Sequence, residues 1–156
     1  MIGSSIGRRL AALWRQRRGN AAIELSILSP PLILLLVGAA DYGAATYRQM
    51  QVQHAAQAGA EYAMKYGFAS TAIATAVTSA TALTGVTATP APAQSCGCAS
   101  GATITTATCG STCAATGLAA GTYVTVSAQG SYTTIVPYPG IPSTFALSGS
   151  STVRIK

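Results

Sequence analysis

The sequence predicts an α+β protein: a long N-terminal membrane-spanning helix followed by a small, Thr-rich antiparallel sheet head with a disulfide loop. Three observations carry this expectation. Residues 21–40 are apolar except for Glu24, Ser26 and Ser29. Helical spacing of apolar residues continues past Asp41 to Tyr66. Beyond Gly85 the pattern turns to short alternating segments rich in Thr, Val and Tyr, with Cys96, Cys98, Cys109 and Cys113 at their head.

The first element follows from length and charge. A spanning helix needs about 20 mostly apolar residues, and Asn20–Asp41 just meets that, around the core Leu32-Ile33-Leu34-Leu35-Leu36-Val37. The 156 residues hold nine Lys and Arg against three acids, a formal charge of +6. Five of the nine, Arg8, Arg9, Arg15, Arg17 and Arg18, precede the apolar run. The positive-inside rule then predicts a cytoplasmic N-terminus in residues 1–19 and an outside location from Asp41 onward. Pro30-Pro31 predicts a kink or local break, because proline lacks an N–H and disfavours helical geometry before it. Gly38, Ala39, Ala40, Gly43, Ala44 and Ala45 permit close helix approach, although such residues are ordinary in membrane helices.

Residues 42–66 read as an amphipathic extension. Val52, Ala55, Ala56, Gly59, Tyr62, Ala63 and Tyr66 share one face; Gln53, His54, Gln57, Glu61 and Lys65 share the other. Glu61 and Lys65 stand in the favourable i, i+4 order. His54 is the single histidine, and on a polar face without neighbouring ligands it reads as solvated. Residues 67–95 read as a second helix over Ser70–Leu83, with Ser70 as a cap, and then a linker over Gly85–Ser95 containing Pro90 and Pro92.

Residues 96–156 form the predicted head. Cys-x-Cys is tighter than most zinc-ligand spacings, and a catalytic redox pair would require Cys-x-x-Cys. On the outside of a membrane two disulfides are the default. Four cysteines allow three pairings; a nested one, Cys96 with Cys113 and Cys98 with Cys109, is the expectation. Strands are expected at Ala102–Ala107, Tyr123–Ser127, Tyr132–Val136, Phe145–Leu147 and Thr152–Ile155, with a turn at Gln129-Gly130 and a stiff loop over Pro137–Pro142. In the last strand Val153 and Ile155 point inward, Arg154 and Lys156 outward.

Several function classes are excluded by what is missing. From Tyr66 to Val153 the sequence contains no Asp, Glu, Lys, Arg or His. General acid–base catalysis has no group to use there, and hydroxyls and thiols have no charged base to activate them. Carboxylate-built cation sites and phosphate-tracking basic grooves are excluded from that region too. No enzyme, cofactor, metal or nucleic-acid partner is therefore expected.

Three fates of the apolar segment remain open from its composition: an uncleaved signal anchor, a signal peptide cut after Ala39, or cleavage in front of the helix that removes only the arginines. The run Arg17-Arg18-Gly19-Asn20-Ala21-Ala22-Ile23-Glu24-Leu25 resembles the processing site of Flp-type, or Tad, prepilins: a basic leader, a Gly, and Glu at the fifth mature position. Followed by the Pro pair, the apolar core, Asp41-Tyr42-Gly43 and a polar helix, it is similar to the TadE family of minor pilins or pseudopilins, over about residues 17–66. Leu25 stands where such sites usually carry an aromatic residue. The resemblance implies cleavage by a prepilin peptidase between Gly19 and Asn20, with Arg15, Arg17 and Arg18 as leader charge and Glu24 as the docking group toward a neighbouring pilin's N-terminal amine. It also implies inner-membrane insertion, with other pilins and Tad assembly proteins as partners. Cleavage there would leave four basic residues against three acids, so the +6 describes the leader rather than a basic working surface.

Overall fold

A long helix dominates the element order, and its composition changes along its length. A computed structural model describes residues 18–137 and 142–155. Helix α1 runs Arg18–Tyr66 and α2 runs Ser70–Ser79; strands β1 (Ala93–Ser100), β2 (Thr103–Thr106), β3 (Gly121–Thr133) and β4 (Thr144–Arg154) follow. The chain forms two compact units, residues 1–42 and 43–156.

In the first unit α1 runs as one helix through Pro30 and Pro31, so of the expected kink or local break the break does not occur. Two missing N–H donors interrupt the ladder only locally. Ser26 adds a back-bond from its hydroxyl to the Ala22 carbonyl, 2.7 Å.

In the second unit α1 lies against an antiparallel sheet of order β2-β1-β3-β4. Val52, Ala55, Ala56, Ala60 and Ala63 from α1, Ile73 and Val77 from α2, Val86, and Val124, Val126, Ala128, Tyr132 and Leu147 from the sheet form one buried cluster. The small helix residues set a close approach. A Cβ on Gly59 would lie 2.6 Å from Val77 Cγ2 and 2.8 Å from Val126 Cγ1. Arg48 sits over the ring of buried Tyr132, 5.3 Å from its centroid. The expected helix face is shifted at its end: Tyr62 packs on the core, but Tyr66 is exposed and stacks on Tyr62 at 4.7 Å. His54, Gln57, Glu61 and Lys65 are exposed as their spacing implies, with Lys65 Nζ placed 5.2 Å from the Tyr66 ring centroid.

Several local expectations need correction. Helix α2 stops at Ser79 rather than Leu83, because the Thr81 hydroxyl accepts the Leu83 N–H and closes a turn in place of the next helical one. Its N-cap is Ala69, without a side-chain cap; the Ser70 hydroxyl reaches the Pro92 carbonyl instead. The stretch read as a linker is structured: Val86 is buried, Thr87 exchanges two backbone hydrogen bonds with Gln129 (2.8 and 2.9 Å), and β1 begins at Ala93.

Gln129-Gly130 is no turn. Both residues lie inside the 13-residue β3, which pairs with all of β4 from Thr133↔Thr144 to Tyr123↔Arg154. The two strands expected at the C-terminus are one. A Ser-Gly-Ser-Ser run reads as a break in sequence, but here it is held from both sides. Beyond it Val153 and Ile155 pack against the core while Arg154 is exposed. Lys156 and Tyr138–Ile141 of the stiff loop lie outside the described residues.

The side of β4 away from β3 is met by α1. The Gln49 amide donates to the Ser148 carbonyl at 2.7 Å, and the Gln53 amide donates to the Ser150 carbonyl at 2.9 Å and accepts from the Ser150 N–H at 3.3 Å. A helix rises about 6 Å over four residues and a strand nearly 7 Å over two, so the two glutamines match alternate residues of the strand. Gly149 lies between them, where a Cβ would sit 2.8 Å from Gln53 Cα and 3.0 Å from Gln53 N.

Candidate processing and assembly site

The N-terminal half of α1 has the chemistry of a segment made for an apolar surrounding. Leu32, Ile33, Leu34, Leu35 and Leu36 are all exposed, Leu35 to 72%. Consecutive helical residues turn by about 100° each, so five in a row cover every side. A single packed partner face cannot cover them all. Each such side chain left in water forfeits about 1.5–3 kcal/mol. An 18-residue window of the helix reaches a mean hydropathy of 2.0 with none of it buried, long and apolar enough to cross a membrane.

Gly19 and Asn20 belong to the first turn of this helix, directly after Arg18. Arg15 and Arg17 lie outside the described residues. Glu24 follows just over one turn later and is exposed among Ile23, Leu25, Ile27 and Leu28. It is the one ionisable side chain between Ala21 and Ala40. A carboxylate so placed is costly in hydrocarbon unless it finds a partner or the interface. The structure thus places Gly19, Asn20 and Glu24 on one helix end and the four cysteines in the second unit.

Asp41, read from sequence as the far boundary of the apolar run, is 5% exposed and takes part in polar contacts. Outward-facing Tyr42 and Tyr47 follow it, both well exposed.

The cysteines pair as Cys96–Cys109 and Cys98–Cys113. This overturns the nested expectation. Cys96 and Cys98 lie two apart on β1 and face the same side of the sheet. The 107–120 loop is held by hydrogen bonds from Ala107 N to Cys96 O, Ala120 N to Ser111 O and Cys113 N to Leu118 O, which lay Cys109 beside Cys96 and Cys113 beside Cys98. Loops of 13 and 15 residues give each bridge about 3 kcal/mol in the chain-entropy account. Among the described residues no group of three or more His, Cys, Asp and Glu side chains is placed to hold a metal ion.

Sequence reasoning passed over Gln49, Gln53 and Gly149. Glutamine on a helix reads as solvent-facing, and only the strand register shows what it meets.

No curated protein and no solved structure matches the chain significantly. Residues 19–61 match the family model described as TadE-like protein. That match begins at Gly19, in the first turn of α1, and ends within the half of α1 that packs on the sheet. Over those residues, less than a third of the chain, the sequence is similar to the TadE-like family.

Proposed function

We propose that the protein is a minor pilin or pseudopilin of Tad (Flp) pilus assembly, cut by a prepilin peptidase between Gly19 and Asn20. The single observation that carries this reading is the arrangement at the start of α1. A glycine follows an arginine leader, Glu24 stands at the fifth position after it, and an apolar helix exposed on all sides follows at once. The first turn of a helix lacks partners for its N–H groups, so drawing residues 18–20 out into a peptidase cleft costs little. Cleavage leaves a charged amine on Asn20 near the Glu24 carboxylate of a neighbouring pilin. Within an apolar surrounding such a pair attracts far more strongly than in water, which directs docking.

The leader arginines hold the N-terminus in the cytoplasm and the head on the far side of the inner membrane. Lipid surrounds the helix before assembly, and other pilins replace lipid afterwards.

Two substitutions separate processing from docking. Gly19→Val leaves the full-length chain uncut in cells that otherwise trim it. Glu24→Gln is trimmed normally but is lost from sheared pilus fractions while it accumulates in membranes. An intact, uncut wild-type chain in cells with an active pilus system supports the alternative reading, a single-pass anchor presenting a periplasmic binding domain.

A further inference from the structure

The two disulfides interleave along the chain, first with third and second with fourth cysteine. We infer that the head is a client of a thiol–disulfide isomerase: its native pairing is reached by exchange rather than by direct oxidation. This rests on the reading that places the head in an oxidising space.

Loop length does not select the native pairing. Closure probability falls roughly as the −3/2 power of loop length. The native loops span 13 and 15 residues; nested bridges replace them by one somewhat longer and one somewhat shorter, and the third pairing, Cys96–Cys98 with Cys109–Cys113, closes much shorter loops that favour a non-native bridge still more. The native and nested arrangements therefore form within about twofold of each other from an unfolded chain. Proximity of Cys96 and Cys98 on one strand adds to the ambiguity, since either is within reach of Cys109 when that thiol arrives.

The folded head does not repair an error by itself. Cys96 and Cys113 are 8% and 5% exposed, so a misbridged chain has to be opened before the sheet and the 107–120 loop close over them. Cys109 is exposed and is the sulfur an outside thiolate reaches.

Each bridge forms when two cysteine thiols transfer two electrons and two protons to a disulfide-bearing oxidase, whose disulfide becomes a dithiol. Where Cys98–Cys109 has formed, the isomerase thiolate attacks the Cys109 sulfur, making a mixed disulfide and releasing the Cys98 thiolate. The Cys96 thiolate then attacks the Cys109 sulfur, forming Cys96–Cys109 and releasing the isomerase thiolate. Exchange is redox-neutral. Cys98 and Cys113 then close by oxidation.

The test oxidises the full chain in detergent micelles with a disulfide-bearing oxidase, with and without a thiol–disulfide isomerase, and maps the bridges by mass spectrometry without reduction. Without isomerase, nested and native species appear within about twofold of each other. With it, the nested species falls at least several-fold. A Cys98→Ala/Cys113→Ala variant has one possible bridge and shows no isomerase dependence. Native pairing alone in the absence of isomerase, or a mixture unchanged by adding it, overturns the inference. Reduced thiols in protein taken from cells, with isomerase dependence retained in micelles, contradict the proposed location and leave the exchange chemistry standing.

Discussion

Gly149 and Gln53 meet at a close contact between α1 and the sheet. A Cβ at Gly149 meets helix backbone, 2.8 Å from Gln53 Cα, and helix backbone cannot rotate away as a side-chain end can. Gly149→Ala should therefore destabilise the head by about 2–3 kcal/mol, the upper range of overpacking costs, read as a fall in the denaturation midpoint. Gly59→Ala meets the Val77 and Val126 methyls, which shift more easily, and should cost about 1–2 kcal/mol in the same assay. Gln53→Ala removes both hydrogen bonds to Ser150 without touching the core cluster. Hydrogen exchange at the Ser150 amide should then speed up at least several-fold, at a stability cost of about 1–2 kcal/mol. Unchanged exchange at that amide would mean that the glutamine does not hold the strand.

The elements differ in how far their own residues announce them. Helix α1 was legible because apolar spacing over 21–66 is strong and local, and the buried positions 52, 55, 56, 59 and 63 fall where the period places them. The glycine and Glu24 of the proposed processing motif stand within a few residues of each other, so that pattern is visible in the sequence alone. The sheet was legible as strands but not in its lengths. Gln129-Gly130 and Ser148–Ser151 carry weak strand propensity, and what keeps them extended is distant: Thr87, α1 and each other. The disulfide pairing was hidden because the native and nested arrangements have loops of similar length, leaving the β1 register to decide between them. Reducing both bridges should cost the head about 2–5 kcal/mol each, seen as a lower melting temperature under reductant. The α1 helical signal should persist, since none of the cysteines lies on it.

At the scale of the whole molecule, charge and hydropathy assign each region a surrounding. Basic residues are concentrated before residue 20, an exposed apolar helix follows, and the head carries almost no ionisable side chain. The head is kept together by an alanine-lined helix contact and two bridges, and it offers hydroxyl and amide groups to what it meets. In the proposed function Gly19 is the point at which this chain changes from a membrane precursor with a basic leader into a nearly neutral subunit ready to dock. The most direct test is the N-terminal sequence of the protein, read by mass spectrometry on membrane and sheared-pilus fractions. The account predicts a chain beginning at Asn20 in both. A chain beginning at Met1 in both fractions, or at Ala40, would contradict it.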